Sequence, residues 1–168
     1  SIKDLEFALS LSPRKQTILF ELASTYLRKG DNENTLLVLK RAWELEPSYL
    51  EARILYGITA LSLGKAAEAE NVLKDVPAKI LNFDDRVASV IAELKQWNQI
   101  VRMFSYRIEN GADTIDNNIS LAVGYLKIGD RQRSIEILRR VADRDAKYKE
   151  QVEFFIKEIQ AGRDPSQQ

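Results

Sequence analysis

The feature that most constrains this chain is a pattern of residues that returns every 34 positions. Gly30 and Gly64 are separated by this interval, and so are Lys95 and Gly129. The same interval relates three further pairs of residues, namely Leu5 and Leu39, Ala8 and Ala42, and Pro13 and Pro47. A fixed period of this length is typical of stacked supersecondary units, each of which buries its apolar face against the next one.

Each repeating unit has the pattern of two helices joined by a tight turn. The first helix carries an apolar stripe at helical spacing, formed by Leu19, Leu22, Ala23 and Tyr26. Gly30 suits the left-handed residue that ends a helix, and Asp31 suits the N-cap of the next one. Pro47 then ends the second helix. The sequence predicts ten helices, at residues 2–11, 14–29, 32–45, 49–63, 66–76, 84–94, 97–109, 115–128, 131–144 and 147–161.

The period and the order of residue types resemble the tetratricopeptide repeat (TPR) family over residues 1–145. The third repeat is degenerate, because Lys95 follows Gly64 by 31 residues and three residues are missing near Val76, Pro77 and Ala78. The resemblance implies an all-α, right-handed superhelix of helix-turn-helix repeats. It divides the chain into a half repeat (1–15), repeats at 16–49, 50–80, 81–114 and 115–146, a capping helix at 147–161 and a disordered tail at 162–168.

The composition argues against catalysis and against nucleic-acid binding. Cysteine and histidine are both absent from the sequence, which removes thiol nucleophiles, disulfides and imidazole chemistry. The 25 basic and 25 acidic residues are interspersed and offer no basic stripe to phosphates. The paired carboxylates of Asp84 and Asp85 suit the cap of the helix that follows. We therefore expect no enzyme, no cofactor, no metal site and no nucleic-acid partner, and we expect Trp43 and Trp97 to pack against neighbouring helices.

The resemblance implies that the first helix of each repeat lines a groove that binds a protein or peptide partner. TPR domains that bind chaperone C-termini carry lysine and asparagine where this chain has Phe20 and Ser24, so we do not expect that ligand. The groove positions also include Ser89, Ala92, Ser120 and Lys127. The predicted groove residues are Phe20, Ser24, Leu27, Ile54, Ile58, Leu61, Arg86, Ile119, Val123 and Leu126. These residues make an apolar binding surface, unless neighbouring repeats bury them.

Two functions remain open. The first is a scaffold that binds an apolar or amphipathic protein segment in the groove. The second comes from the runs at residues 8–13 and 18–23, which are similar to the TPR tails of bacterial O-antigen polymerase and ligase membrane proteins. The parent protein would then be membrane-anchored and this part extracytoplasmic. The sequence leaves the compartment open between cytoplasm and periplasm.

The first residues have the pattern of a second helix without its first helix, because Leu5 and Ala8 match Leu39 and Ala42 one period later. We therefore expect a fragment of a larger protein with at least one more helix upstream. We also expect the face that carries Ile2, Leu5 and Leu9 to be partly exposed. Self-association through this end of the chain is a prediction that follows.

Overall fold

The computed structural model describes residues 1–167, which are all-α. They form eleven α-helices, two short 3-10 helices and no strand. The α-helices are α1 (Ile2–Leu11), α2 (Gln16–Arg28), α3 (Asn32–Leu45), α4 (Leu50–Ser62), α5 (Ala66–Leu73), α6 (Ala78–Phe83), α7 (Asp85–Glu93), α8 (Trp97–Glu109), α9 (Ile115–Lys127), α10 (Arg131–Arg144) and α11 (Lys149–Gln160). The chain divides into two compact units, Ser1–Leu81 and Asn82–Gln168, and each is described by itself.

In the first unit, α1 to α5 form antiparallel neighbours that share one apolar core. The stripe predicted for α2 is confirmed, since Leu19, Leu22 and Ala23 are buried. Tyr26 is half-buried and donates a hydrogen bond from its hydroxyl to Glu6 Oε1 of α1 at 2.8 Å. The rest of this core consists of Leu9, Leu36, Val38, Leu39, Ala42, Ala52, Tyr56, Ala60, Ala69 and Val72.

In the second unit, α7 to α11 repeat the same arrangement. Helix α9 packs between α8 and α10, and α11 packs on α10. Residues of every helix from α7 to α11 are fully buried, for example Ile91, Phe104, Leu121, Leu138 and Ile159. The capping helix predicted at 147–161 is observed as a 3-10 turn at Ala146–Tyr148 followed by α11.

The predicted turn chemistry is confirmed at three repeats. Gly30, Gly64 and Gly129 have φ angles of 74°, 77° and 89°, in the left-handed region that glycine adopts without steric cost. Asp31 and Asp130 then cap the following helices, each accepting a hydrogen bond from a backbone N–H of the first turn. In the degenerate repeat, Lys95 occupies the glycine position with a φ of 56°. A side chain is therefore held in a backbone conformation that disfavours it.

The degenerate repeat also contains a helix that the sequence pattern did not predict. The helix expected at 66–76 ends at Leu73, and the short helix α6 begins directly after Pro77. Proline suits this place because it lacks a backbone N–H, and the first N–H groups of a helix need no partner within the helix. Helix α7 follows with Asp84 as its N-cap, as predicted for the paired carboxylates. Six residues are too few to show helical periodicity, which explains the omission.

Both tryptophans pack as expected, although neither is fully buried. The Trp43 ring stacks on Tyr56 with 5.8 Å between centroids, and the Arg53 guanidinium carbon lies over the Trp43 ring, 5.8 Å from its centroid. The Trp97 ring lies 5.7 Å from Lys127 Nζ of α9. Each indole is therefore used in contacts within its own unit.

The exposed apolar residues of α1 differ in part from those predicted. Ile2 and Leu5 are half-buried as expected, whereas Leu9 is buried in the core of the first unit. The exposed side chains are Phe7 and Leu11, which are 67% and 70% accessible and lie one helical turn apart. Self-association through α1 stays a prediction.

The close crossing of α4 and α5 gives a first stability prediction. A Cβ at Gly57 would lie 2.4 Å from Leu73 Cγ. We expect Gly57→Leu to lower the free energy of unfolding by about 1–3 kcal/mol through overpacking, measured by urea denaturation. Adding Leu73→Ala should restore part of the loss. A Gly57→Leu variant as stable as the parent would contradict this account of the crossing.

The strained Lys95 gives a second stability prediction. We expect Lys95→Gly to raise the free energy of unfolding by about 0.5–1 kcal/mol, because glycine removes the left-handed strain. The matched control is Lys29→Gly, since Lys29 is an exposed lysine at a helix end with a φ of −87°. The control should lose stability or show no change. Equal losses in both variants in urea would show that Lys95 carries no strain.

Candidate functional site

The predicted groove residues of α2 are largely accessible. Ser24 and Leu27 are exposed, and Ser24 Oγ accepts a hydrogen bond from Arg28 Nη1 at 3.0 Å. Phe20 is half-buried and stacks on Tyr49 with 6.0 Å between ring centroids. This surface therefore offers one apolar side chain, Leu27, beside polar neighbours rather than a continuous apolar strip.

The prediction that Ile54 and Ile58 are accessible is wrong. Their exposed fractions are 3% and 8%, so neither is available to a partner in this structure. The reason lies in α4 itself, where Ala52, Tyr56 and Ala60 are buried as well. A helix that is apolar on nearly every side is a core helix, and it has no second face to present. Leu61 is half-buried and packs against the core of the first unit.

An open apolar cleft lies in the second unit between α7, α8 and α9. Its volume is about 290 Å³, near the lower end of the range for ligand pockets. Helices α7 and α9 supply groove positions named from the sequence, including Ser89, Ala92 and Val123. We call this surface the α7–α9 cleft; its lining residues are Ala88, Ser89, Ala92, Trp97, Ile100, Phe104, Ile119, Ser120 and Val123.

The contribution of α8 to this cleft was missed. Trp97, Ile100 and Phe104 belong to the second helix of their repeat, which the resemblance does not place at the groove. We attribute this access to α7, which lines the cleft only with small side chains, Ala88, Ser89 and Ala92. The alanine and serine spacing along α7 was the available signal, since small residues leave a deeper helix accessible.

The other side of α9 is closed by the C-terminal residues. Ile119, Val123 and Leu126 enclose, together with Phe155 of α11 and Pro165, a remaining space of only about 20 Å³. Such a space is about the size of one water molecule, so the apolar surface here is nearly filled. Pro165 is buried and is the first residue of the short 3-10 helix Pro165–Gln167.

Ion pairs fix this C-terminal segment, which corrects the prediction of a disordered tail over the described residues. Lys127 Nζ donates to Asp164 Oδ2 at 2.5 Å. Arg163 donates from Nη2 to Glu158 Oε1 at 2.6 Å. A tail rich in polar residues was expected to stay solvated, but its two charged residues meet opposite charges on α9 and α11. Gln168 lies outside the described residues.

Hydrogen bonding keeps Asp164 ionised in this position. Burial by itself would raise the pKa of Asp164, but the hydrogen bonds from Lys127 and from the Ser166 hydroxyl and backbone hold the pKa below its usual value. Ser166 Oγ lies 2.6 Å from Asp164 Oδ1. The carboxylate is therefore charged at neutral pH and available to the lysine.

Arg86 is not among the residues that line the cleft, although it was predicted as a groove residue. Its guanidinium donates from Nη2 to Asp84 Oδ2 at 2.7 Å. Asp84 is the N-cap of α7, and these bonds from Arg86 are the main cause that lowers its pKa. Arg86 thus stabilises the beginning of α7. A buried neighbour, Arg107, similarly joins α8 to α7 by donating to Asp85 Oδ1 at 2.8 Å.

The side chains of the cleft suit apolar contact and hydrogen bonding by hydroxyls. None of its lining residues is charged. Over residues 1–167, no group of three or more acidic, histidine or cysteine side chains is arranged to hold a metal ion. No helix in that part of the chain is both long and apolar enough to cross a bilayer. The cleft is therefore an uncharged, mainly apolar surface that carries two serine hydroxyls.

The fold and the cleft define a helical-repeat protein, in which paired helices present a surface between neighbouring repeats. Residues 26–94 match the tetratricopeptide repeat family. The match covers less than half of the chain, and the paired helices of the described residues have the fold that the sequence resemblance implied. Proteins of this family are in general scaffolds that bind other proteins.

A sequence relative and several solved structures are similar to this chain. The Phagocyte signaling-impaired protein of Drosophila pseudoobscura pseudoobscura is 29% identical over 122 residues, which are 68% of this chain and 13% of that protein. The chain thus spans only a small part of this relative. The crystal structure of MamA has a TM-score of 0.64 at 17% identity, covering 89% of each chain.

Two further structures carry the same fold. A tetratricopeptide repeat protein from Parabacteroides merdae has a TM-score of 0.61 at 21% identity, covering 83% of this chain and 56% of that one. YrrB, described as a TPR protein with an unusual peptide-binding site, has a TM-score of 0.55 at 12% identity, covering 87% and 77%. At these identities the likeness establishes the fold and leaves the ligand open.

The burial of Ile58 gives a stability prediction that distinguishes a core residue from a surface residue. We expect Ile58→Asp to lower the free energy of unfolding by about 3 kcal/mol or more, because an unpaired carboxylate would be buried. The matched control is Leu27→Asp, an exposed groove position, which should change stability by only about 0.5 kcal/mol. Urea denaturation of both variants measures the difference. Equal stabilities would show that Ile58 is accessible in solution.

Proposed function

We propose that this chain is a protein-interaction module whose α7–α9 cleft binds apolar side chains of a protein segment. The observation that carries this proposal is the accessibility of Trp97 and Val123 beside the small residues Ala92 and Ser89. Apolar surface that remains in contact with water in an otherwise packed domain favours a partner that removes it.

The size of the cleft limits what enters it. A volume of about 290 Å³ accommodates one or two side chains rather than a whole helix. Ser89 and Ser120 also line the cleft, and their hydroxyls can hydrogen-bond the backbone of an extended segment. Ser89 Oγ also donates to the Asp85 backbone oxygen at 2.9 Å and so is already oriented. The ligand we propose is a segment that inserts one or two apolar side chains and runs across the cleft.

The comparisons support a peptide ligand in general terms. TPR proteins bind protein partners, and YrrB, which shares the fold, is described by its peptide-binding site. In the first unit, Phe20, Ser24 and Leu27 remain predicted contacts for a protein partner. Membrane anchoring through an O-antigen polymerase or ligase parent stays a prediction as well.

Selection of peptides against the full chain tests the proposal. Random peptides displayed on phage should yield binders rich in aromatic and aliphatic residues. Their affinity should fall about tenfold or more in Ala92→Glu, because burying the new carboxylate against apolar side chains costs at least about 1.4 kcal/mol. Fluorescence anisotropy of labelled synthetic peptides measures the affinities.

The matched control is Ala142→Glu. Ala142 is also a half-buried alanine in a helix of the second unit, but it faces the surface between α10 and α11. This variant should bind the selected peptides with the affinity of the parent, and urea denaturation should show both variants folded. Peptides that bind Ala92→Glu as tightly as the parent would refute the α7–α9 cleft as the binding site.

A further inference from the structure

The C-terminal segment of this chain, residues 163–166, lies next to the surface proposed for partner binding. Pro165 lines the same small space as Val123 and Ile119, and both of these α9 residues also line the α7–α9 cleft. The open cleft and the nearly filled space therefore share two lining side chains of α9. The segment that fills one side reveals which chemistry this surface accepts.

The charged contact beside Pro165 has the features of a recognition contact. Lys127 and Asp164 are both largely shielded, with side-chain exposures of 15% and 27%, and their distance is 2.5 Å. The attraction within an ion pair that is shielded from water is screened less than that of a pair at the surface, and the hydrogen bond between its two charges fixes their geometry. If Asp164 leaves, the ammonium group of Lys127 remains beside the Trp97 ring and requires another carboxylate.

The position of Lys127 links this pair to the open cleft. Its Nζ lies 5.7 Å from the centre of the Trp97 ring, and Trp97 is one of the residues that line the cleft. A segment that inserts an apolar side chain beside Trp97 therefore passes close to Lys127. A carboxylate on that segment would reach the same ammonium group that Asp164 contacts.

We propose that the α7–α9 cleft recognises a protein segment in which an acidic residue precedes proline or another apolar residue. The acidic residue pairs with Lys127, and residues 163–166 of this chain are an internal competitor that such a segment displaces. This inference rests on the proposed function and adds to it the chemical class of the partner.

The internal segment competes because it is tethered. Gly162 joins it directly to the end of α11, so the effective concentration at Lys127 is of millimolar order for such a short link. A partner must bind more favourably than this tethered segment. It can do so because it also places apolar side chains in the open part of the cleft. Weakening the internal segment should therefore increase affinity for a segment supplied from outside.

A peptide with the sequence of the segment itself is the test ligand. The labelled probe has the sequence of residues 161–168, Ala-Gly-Arg-Asp-Pro-Ser-Gln-Gln. The full chain with Asp164→Ala and Pro165→Gly should bind this probe about tenfold or more tightly than the parent chain, because the internal competitor is released. Fluorescence anisotropy measures the binding, and circular dichroism checks that the variants fold.

Lys127 provides the specific control. Adding Lys127→Gln to the released chain should weaken binding of the probe about tenfold or more, whereas Lys127→Arg should largely preserve it, because only arginine keeps the positive charge. A probe whose aspartate is replaced by alanine should lose binding to the same extent. If Asp164→Ala with Pro165→Gly alters folding, Asp164→Asn alone should give a smaller change in the same direction.

The outcomes separate this inference from the proposed function. If the released chain binds the probe no better than the parent, or if Lys127→Gln has no effect, the inference is wrong. Selected peptides that depend on Ala92 but not on Lys127 would leave the proposed function standing and overturn the acidic motif. Binding of the probe could require Lys127 while the selected peptides bind Ala92→Glu as tightly as the parent. This result would confirm the contact between the acidic residue and Lys127 and refute the α7–α9 cleft as the binding site.

Discussion

The close packing of paired helices is the constraint on which the rest of this structure depends. Each pair is joined by a turn too short to allow any other arrangement, and small residues such as Gly57 and Ala122 let the two backbones approach. A single pair leaves one apolar face uncovered, so stability requires that the next pair stack on it.

The α7–α9 cleft is a consequence of one weak pair in this series. The degenerate repeat has lost three residues and is preceded by the additional helix α6. Its helix α7 lines the cleft with the small side chains of Ala88, Ser89 and Ala92. Larger residues at Ala88 and Ala92 would cover Trp97 and Ile100 and close the surface. The proposed binding surface thus lies at the repeat that departs most from the pattern, as expected if functional sites break local rules.

The C-terminal segment shows how charge and apolar contact combine at this surface. Pro165 fills space beside α9, and the ion pair between Asp164 and Lys127 holds it there. Neither contact is strong alone, since a short segment pays an entropic cost to be ordered. Together they hold a segment of polar composition on a folded domain. A partner segment would have to offset the same entropic cost of being ordered.

The sequence by itself determined the repeat, the helix pairs and the glycine and aspartate turns, because these depend on local spacing and on backbone conformations that few residues adopt. It also identified Ile119, Val123, Ser89 and Ala92 as positions on one surface. Only the tertiary structure decided that Ile58 is buried, that Trp97 of α8 reaches the cleft and that Pro165 docks. Burial and docking depend on which elements meet in space, and a periodic pattern reports the face of a helix but not what covers it.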